Sequence, residues 1–352
     1  MKTLKILLGN NTLSLLAGTE TWTYTLALAL KELGHDVSCF SPELGIISQK
    51  LAEKGIKSFN TIDKQEGIQL FTPFFTEPVS HQYDVIIANH FHIVAYLREK
   101  FPKTPIINTV HGPIHSLPDG TWAPEHPATE SGVSQFVATC GQQADRMRQE
   151  YGIDAKVINN FFDIPTLSAL RPAREKPEQF LFNTNYLGRD DEPVKVVREV
   201  ARHFGVRMAA IGANFAPTPD ITKAIEESDV VFGMGRSVME GVAAGRLGIV
   251  QGRWGTGGPI IESTVDAIRY HNFSGRNSEG VFATKEELIA MIEQYYNPAV
   301  LEWGKKYAAR EHNSISVAEE YVRIAYDLTG ESINAPRPTG VDPIAKPLKK
   351  AF

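Results

Sequence analysis

Cysteine is scarce: Cys39 and Cys140 are the two in 352 residues. They lie far apart in sequence and in neither C-x-x-C nor metal-ligand spacing. That excludes a disulfide framework and suits a reducing compartment with both thiols in a core. No run of 18 apolar residues occurs, so no segment reads as a membrane span. Neither sign of charge dominates: 36 Lys+Arg against 41 Asp+Glu leave a net −5 and a pI near 6.1. Such a balance lacks the basic excess that drives binding to a nucleic-acid backbone, and it offers no polybasic membrane patch. A dinucleotide fingerprint is also missing. The opening loop GNNTLSLLAGTE has only Gly9 and Gly18 where G-x-G-x-x-G would need three close glycines, which disfavours a nicotinamide-binding first domain. The start, MKTLKILLGNNT, has its apolar run broken by GNNT and reads as a strand and turn rather than a signal peptide. A cytoplasmic location, with at most weak peripheral contact at the membrane surface, is the expectation.

What is present is an ordinary globular mixture, 42% hydrophobic and 22% charged, in a length that favours two domains. LKILLGN is a short apolar run; Trp22, Leu26, Leu30 and Leu33 then recur at helical spacing until Gly34, and DVSCF follows. This is a βαβ unit. Apolar runs recur at 83–90, 104–112, 135–140 and 155–161, with a helix pattern over 141–151, which predicts a parallel sheet covered on both faces. Residues 163–179 are rich in Pro and charge and read as a linker. The alternation then restarts in QFLFNTNYLG, RMAAIGAN, DVVFGMG and LGIVQG, with helices near 192–203, 222–227 and 236–244. Beyond Thr284 the pattern is helical, over 285–295, 298–311 and 315–328. The expected organisation is α/β throughout: two Rossmann-like domains, 1–165 and 166–330, facing each other across a cleft, with C-terminal helices of which the last packs back on the first domain. A tail over 331–352, rich in Pro and Lys, reads as extended or disordered.

Ligands of open α/β sheets bind outside the carboxyl ends of the strands. Five segments stand at such ends: GNNTLSLLAGTE, TVHGP, LGRDDEPVK, GMGRSVME and GRWGTGG. In DVVFGMGRSVMEGVAAGR a strand passes through Gly233 and Gly235 into a helix, leaving the amides of Arg236, Ser237 and Val238 as an anion cradle, with Glu240 one turn further to accept from a ribose diol. The other reading is a tight turn with an exposed Glu. Arg189 and Lys195, six apart, suit a diphosphate, or else pair with Asp190, Asp191 and Glu192. His111 ends an apolar run and, as a neutral imidazole, can donate to a sugar hydroxyl, or is structural. His90, His92 and His115 crowd together without a carboxylate or Cys at ligand spacing, so no metal is expected. Gly18, Thr19 and Glu20 form a loop-to-helix junction with Thr19 as N-cap, whose amides can also meet an acceptor or a donor sugar.

Taken in order, these elements resemble the retaining GT-B glycosyltransferases, a group that includes mannosyl- and glucosyltransferases. The resemblance covers roughly residues 3–328. AGTE at 17–20 is similar to the family's Gly-Gly-x-Glu junction, TVHG carries its strand-end His, LGRDDEPVK its Gly-Arg…Lys element, and SDVVFGMGRSVMEGVAAGR its Ser-Asp strand and Glu helix. The resemblance implies a GT-B fold with an acceptor-side first domain and a donor-side second domain. It also implies a nucleoside-diphosphate sugar as donor, a hydroxyl acceptor on a glycan or glycolipid, and no cofactor. It places the diphosphate on Arg189 and Lys195, with His111 on the donor sugar; these three are the candidate catalytic residues. Gly18, Gly235, Arg236, Ser237, Val238 and Glu240 are assigned to the donor, Glu20 and His90 to the acceptor. One departure stands out: the family's first Glu, eight residues before Glu240, is Phe232 here. The stretch 67–82 has three phenylalanines in five residues, which fits either a lipid-linked acceptor or buried packing.

Overall fold

The computed structural model describes residues 2–14, 18–60, 82–112, 132–215 and 221–330. The phenylalanine-rich stretch up to 81, His115, and the tail from 331 lie outside them. In the N-terminal part the elements run β1 (Lys5–Gly9), β2 (Thr12–Leu13), α1 (Gly18–Glu32), β3 (Asp36–Phe40), β4 (Glu43–Leu44), α2 (Ile46–Glu53), β5 (Lys57–Phe59), β6 (Val85–Asn89), α3 (Phe91–Lys100), β7 (Ile106–Val110), β8 (Gln135–Ala138), α4 (Gly141–Tyr151) and β9 (Lys156–Val157). Seven of these strands form one parallel sheet in the order β5-β3-β1-β6-β7-β8-β9; β2 and β4 pair separately. Successive residues of β1 enter opposite cores: Ile6 and Leu8 pack with α1, Leu7 with α3. Burial on both faces is why these strands read as unbroken apolar runs instead of alternating ones.

A short α5 (Ile164–Ser168), begun by Asp163 accepting from the Thr166 N–H, opens the segment read as a linker. Next come β10 (Gln179–Asn183), α6 (Glu192–Phe204), β11 (Arg207–Ile211), α7 (Ile221–Glu227), β12 (Val230–Gly233), α8 (Arg236–Ala243), β13 (Leu247–Gly252), β14 (Gly255–Pro259) and α9 (Val265–Tyr270). The second sheet has the order β11-β10-β12-β13-β14, parallel except for β14. Phe180, Phe182, Phe232 and Ile249 pack on α6, while Leu181, Val231 and Val250 face α8. GRWGTGG is therefore not a strand-to-helix loop. It is a hairpin whose Gly-rich arm pairs antiparallel with β13 across an irregular register at Val250/Gln251.

Three helices end the described chain: α10 (Lys285–Tyr295), α11 (Pro298–Glu311) and α12 (Ser314–Thr329). Each start is encoded locally, by a Thr284/Glu287 capping box, by Asn297 before Pro298, and by Asn313. The chain passes back between the sheets beside its own first crossing, where the Phe162 N–H donates to the His312 carbonyl at 2.8 Å and Ser314 N–H to the Phe162 carbonyl at 3.2 Å. Helix α12 then packs on α1. Tyr321 and Tyr326 are buried in the first core; the Tyr321 hydroxyl meets Thr109 Oγ1 at 3.0 Å, and Tyr326 donates to the Lys2 carbonyl at 2.6 Å. No helix among the described residues is long and apolar enough to cross a membrane.

Candidate functional site

Both sheets reverse their strand order at one point, the first between β1 and β6 and the second between β10 and β12. Connections leave such a point in opposite directions and open a crevice at the strand ends. The residues of interest flank these two crevices.

At the first crevice Asn10 follows β1, Asn89 ends β6, and His111 follows β7. Thr23 Oγ1 donates to the Thr19 carbonyl at 2.8 Å, and Asn10 Nδ2 donates to the Thr12 carbonyl at 2.7 Å. A carbonyl can only accept, so the remaining lone pairs of Thr23 and Asn10 must be acceptors too. Asn89 Nδ2 donates to both, at 3.3 and 3.1 Å. Its Oδ1 therefore faces His111 Nε2, at 2.9 Å, and that nitrogen must carry the proton. Burial pushes the His111 imidazolium down to about 3, with the charges of His90 and Arg236 adding to the effect. The ring is neutral, protonated on Nε2, and edge-on to Trp22 at 4.9 Å. In the structure this N–H is engaged by Asn89. Asn10, Asn89 and Thr23, all essentially buried, were missed by sequence reasoning; the only local signal is an Asn after each of two apolar runs. Nitrogen-detected NMR of His111 at pH 7 is expected to show the Nε2–H tautomer, and Asn89→Leu to release it to a mixture. An Nδ1–H tautomer in the unaltered protein would refute the derivation.

Thr19 lies inside α1, which begins at Gly18, so Thr19 is not its N-cap. Its hydroxyl instead donates to Glu20 Oε2 at 3.2 Å. Glu20 is buried, and that burial raises its carboxyl. His90 precedes α3 at φ 58°, and burial lowers its imidazole to about 4. It stacks on His92, centroids 5.9 Å apart. Among the described residues no group of three or more His, Cys, Asp or Glu is placed to hold a metal ion.

At the second crevice a Cβ on Gly233 would stand 2.7 Å from the Asn183 carbonyl, and Gly235 takes φ +59°. A side chain is excluded from the first position and strained at the second. Gly235 caps α8 without a side-chain hydrogen bond, so the amides of Arg236, Ser237 and Val238 end the helix unpaired by any cap, beside a positive dipole end. Val238 is wholly buried and offers only its backbone. Arg236 is engaged within the protein. Its guanidinium donates to the Phe161 carbonyl at 2.7 Å and to Glu240 Oε1 at 3.1 Å, and lies 5.0 Å from the Phe162 ring centroid. It ties α8 to the first crossing segment and leaves its backbone amide for an anion. Burial raises the Glu240 carboxyl and lowers Arg236, while their mutual attraction opposes both shifts. The i,i+4 spacing of a helix makes this pair.

Arg189 and Lys195 are exposed, and among the described residues neither side chain has a hydrogen-bond partner. The expected alternative, pairing with Asp190, Asp191 and Glu192, does not occur. Asp191 Oδ2 instead accepts from the Gly188 N–H at 2.6 Å, and Arg198 donates to the Arg189 carbonyl at 3.1 Å. These bonds shape the loop; Arg189 within it and Lys195 in the first turn of α6 stay exposed.

The two halves meet at further points. Asn160 donates to Asn272 at 2.9 Å, Tyr270 to Asp145 at 2.6 Å and Arg276 to Gln142 at 2.7 Å. Arg236 is near enough to depress His111, so the structure brings the TVHG and GMGRSVME segments to one place.

Residues 16–165 match the family model of Glycosyltransferase Family 4. The whole structure is similar to that of a glycosyltransferase from Rickettsia africae ESF-5, with a TM-score of 0.61 and 14% identity over 94% of this chain and 100% of that one. It is also similar to Anabaena Alr3699/HepE in complex with UDP and glucose, with a TM-score of 0.58 and 13% identity over 92% and 100%. Sucrose-phosphate synthase from Thermosynechococcus elongatus follows at 0.55 and 10% over 93% and 99%. A sequence search of curated proteins gives no match. Two mainly parallel sheets, the C-terminal helices and likeness over nearly the full length of these structures establish the GT-B glycosyltransferase fold, and the family 4 match covers its N-terminal part from residue 16 on.

Proposed function

We propose that the protein transfers a hexosyl unit from a nucleoside-diphosphate sugar to an acceptor hydroxyl, with retention of configuration. The observation that carries this reading is the uncapped start of α8 behind Gly233 and Gly235, at the order reversal of the second sheet, with Arg189 and Lys195 on the neighbouring strand end. That is a place for a diphosphate. UDP and UDP-glucose in the Anabaena protein's complexes support a sugar nucleotide as the ligand.

As the glycosidic bond breaks, negative charge gathers on the departing diphosphate and positive charge on the sugar. Arg189, Lys195 and the amides of 236–238 stabilise the first. His111, held neutral, stands beside the second without repelling it. Glu240 keeps Oε2 for the ribose while Arg236 holds Oε1. Gly18 belongs with the donor residues, Glu20 and His90 serve the acceptor, and retention rests on the family resemblance. Release of UDP, GDP or ADP from the corresponding hexose nucleotides, with and without added polyol or glycolipid acceptors, tests this. Failure to bind any of the three would sink it. A donor-binding protein without turnover is the second reading, favoured by Phe232, fully buried in β12 where the family's first Glu would stand; binding without release would select it.

Glu240→Ala is expected to weaken nucleotide binding about tenfold to a hundredfold, the range of a charge-assisted hydrogen bond. Ribonucleotides should feel the change and 2′,3′-dideoxy analogues should not. Equal losses for both would make Glu240 merely the partner of Arg236.

A further inference from the structure

The guanidinium of Arg236 is turned to Phe161 and Glu240, and another cation lies at the neighbouring strand end. Arg253 lies in the turn between β13 and β14, exposed. Its guanidinium carbon is 4.4 Å from the centroid of Trp254 and 5.4 Å from that of Tyr186. A cation–π contact satisfies none of the guanidinium's N–H donors. Among the described residues none of those donors has a hydrogen-bond partner.

The position follows from close packing at the strand ends. A Cβ on Gly252 would fall 2.8 Å from Met234 Sδ, and Met234 directly precedes the Gly235 cap. Tyr186, on the other side, is three residues before Arg189. Arg253 thus reaches from the β13 end, whose Gly252 packs on Met234, toward the loop that carries Arg189.

We propose that Tyr186, Arg253 and Trp254 form a third cationic arm of the anion site, in which Arg253 binds the terminal phosphate of a nucleoside diphosphate. The two rings lie within cation–π reach of the guanidinium and restrain it, so its fork can meet two phosphate oxygens with less side-chain entropy left to lose. An arginine is required because an ammonium lacks the planar fork that meets two oxygens at once. This rests on the donor reading of the α8 site and adds a residue to it.

The test is calorimetric affinity for UDP, GDP and ADP, each beside its monophosphate, using the best-bound base for the variants. Arg253→Ala should lose about 10- to 50-fold in diphosphate affinity and about twofold or less for the monophosphate. Arg253→Lys should recover only a small part, and Trp254→Leu should lose several-fold with the charge intact. Because Arg253 is exposed and has no hydrogen-bonding partner among the described residues, an unchanged melting temperature is expected and checks the fold. Unaltered diphosphate affinity in Arg253→Ala, or an equal loss for mono- and diphosphate, overturns the inference while leaving the donor reading in place. No binding of any nucleotide by the unaltered chain overturns both.

Discussion

Alanine at Arg189 or Lys195 is expected to lower turnover a hundredfold or more, and to cost turnover more than donor affinity. Both side chains are exposed and have no hydrogen-bond partner among the described residues, so their removal leaves no buried group unsatisfied and the loop stays shaped by Asp191 and Arg198. What is lost is a cation facing a group whose charge grows along the reaction. A bound diphosphate is already anionic, so part of the attraction belongs to the ground state and appears as affinity. The remainder exists only as the bond to the sugar breaks. Removing one preorganised donor of this kind costs roughly 3 kcal/mol, about two powers of ten in rate. Lys195→Arg should restore only part, since a planar fork cannot occupy the point an ammonium does. Single-turnover rates beside donor affinities decide the matter. Rates unchanged in both variants would remove the leaving-group role, and affinity lost with rates intact would reduce both residues to uniform binding.

Stability is expected to fall steeply between pH 6.5 and about pH 4.5. Burial lowers His111 to about 3 and His312 to about 4; each titrates near 6.5 once unfolded. Above pH 6.5 both are neutral in either state and add no pH dependence. Below it the unfolded chain takes up two protons that the folded chain refuses, so each histidine withdraws about 1.4 kcal/mol per pH unit until its folded value is reached. Two such groups give about 3 kcal/mol per unit, against a total of roughly 5–15 kcal/mol for a folded protein. His90, lowered to about 4, acts in the same direction. The raised carboxyls of Glu20, Glu240 and Glu320 act oppositely and flatten the lower end of the window. His312 sits where the chain crosses between the sheets, its Nδ1 donating to the Asn160 carbonyl at 2.5 Å, so acid should loosen that crossing. Denaturant titrations at half-unit steps from pH 7.5 to 4.5 measure the slope, and a flat profile would contradict the burial of these rings as neutral species. His312→Gln, which keeps a donor near Asn160 without a titrating group, should remove about a third of it.

The sequence by itself determined what short-range chemistry can encode. Unbroken apolar runs mark strands covered on both faces, and caps at Thr284, Asn297 and Asn313 mark where helices begin, because each cap meets a backbone group only a few residues away. The strand, two glycines and helix of GMGRSVME are legible for the same reason: the turn, the positive φ and the bare amides all lie within one short segment. Only the tertiary structure decided where long side chains end. Arg236 is equally able to meet a phosphate, a carboxylate or a carbonyl, and it settles on Phe161 because the crossing segment, 75 residues away in sequence, is packed beside it. Asn89 finds Asn10 at a separation of 79, and no local pattern marks that pair or the tautomer it imposes on His111. GRWGTGG reads as a loop since glycine is a poor strand former, yet it becomes an edge strand by pairing with β13. Local burial is written in periodicity, whereas the partner of a polar group depends on which strand ends the topology makes neighbours.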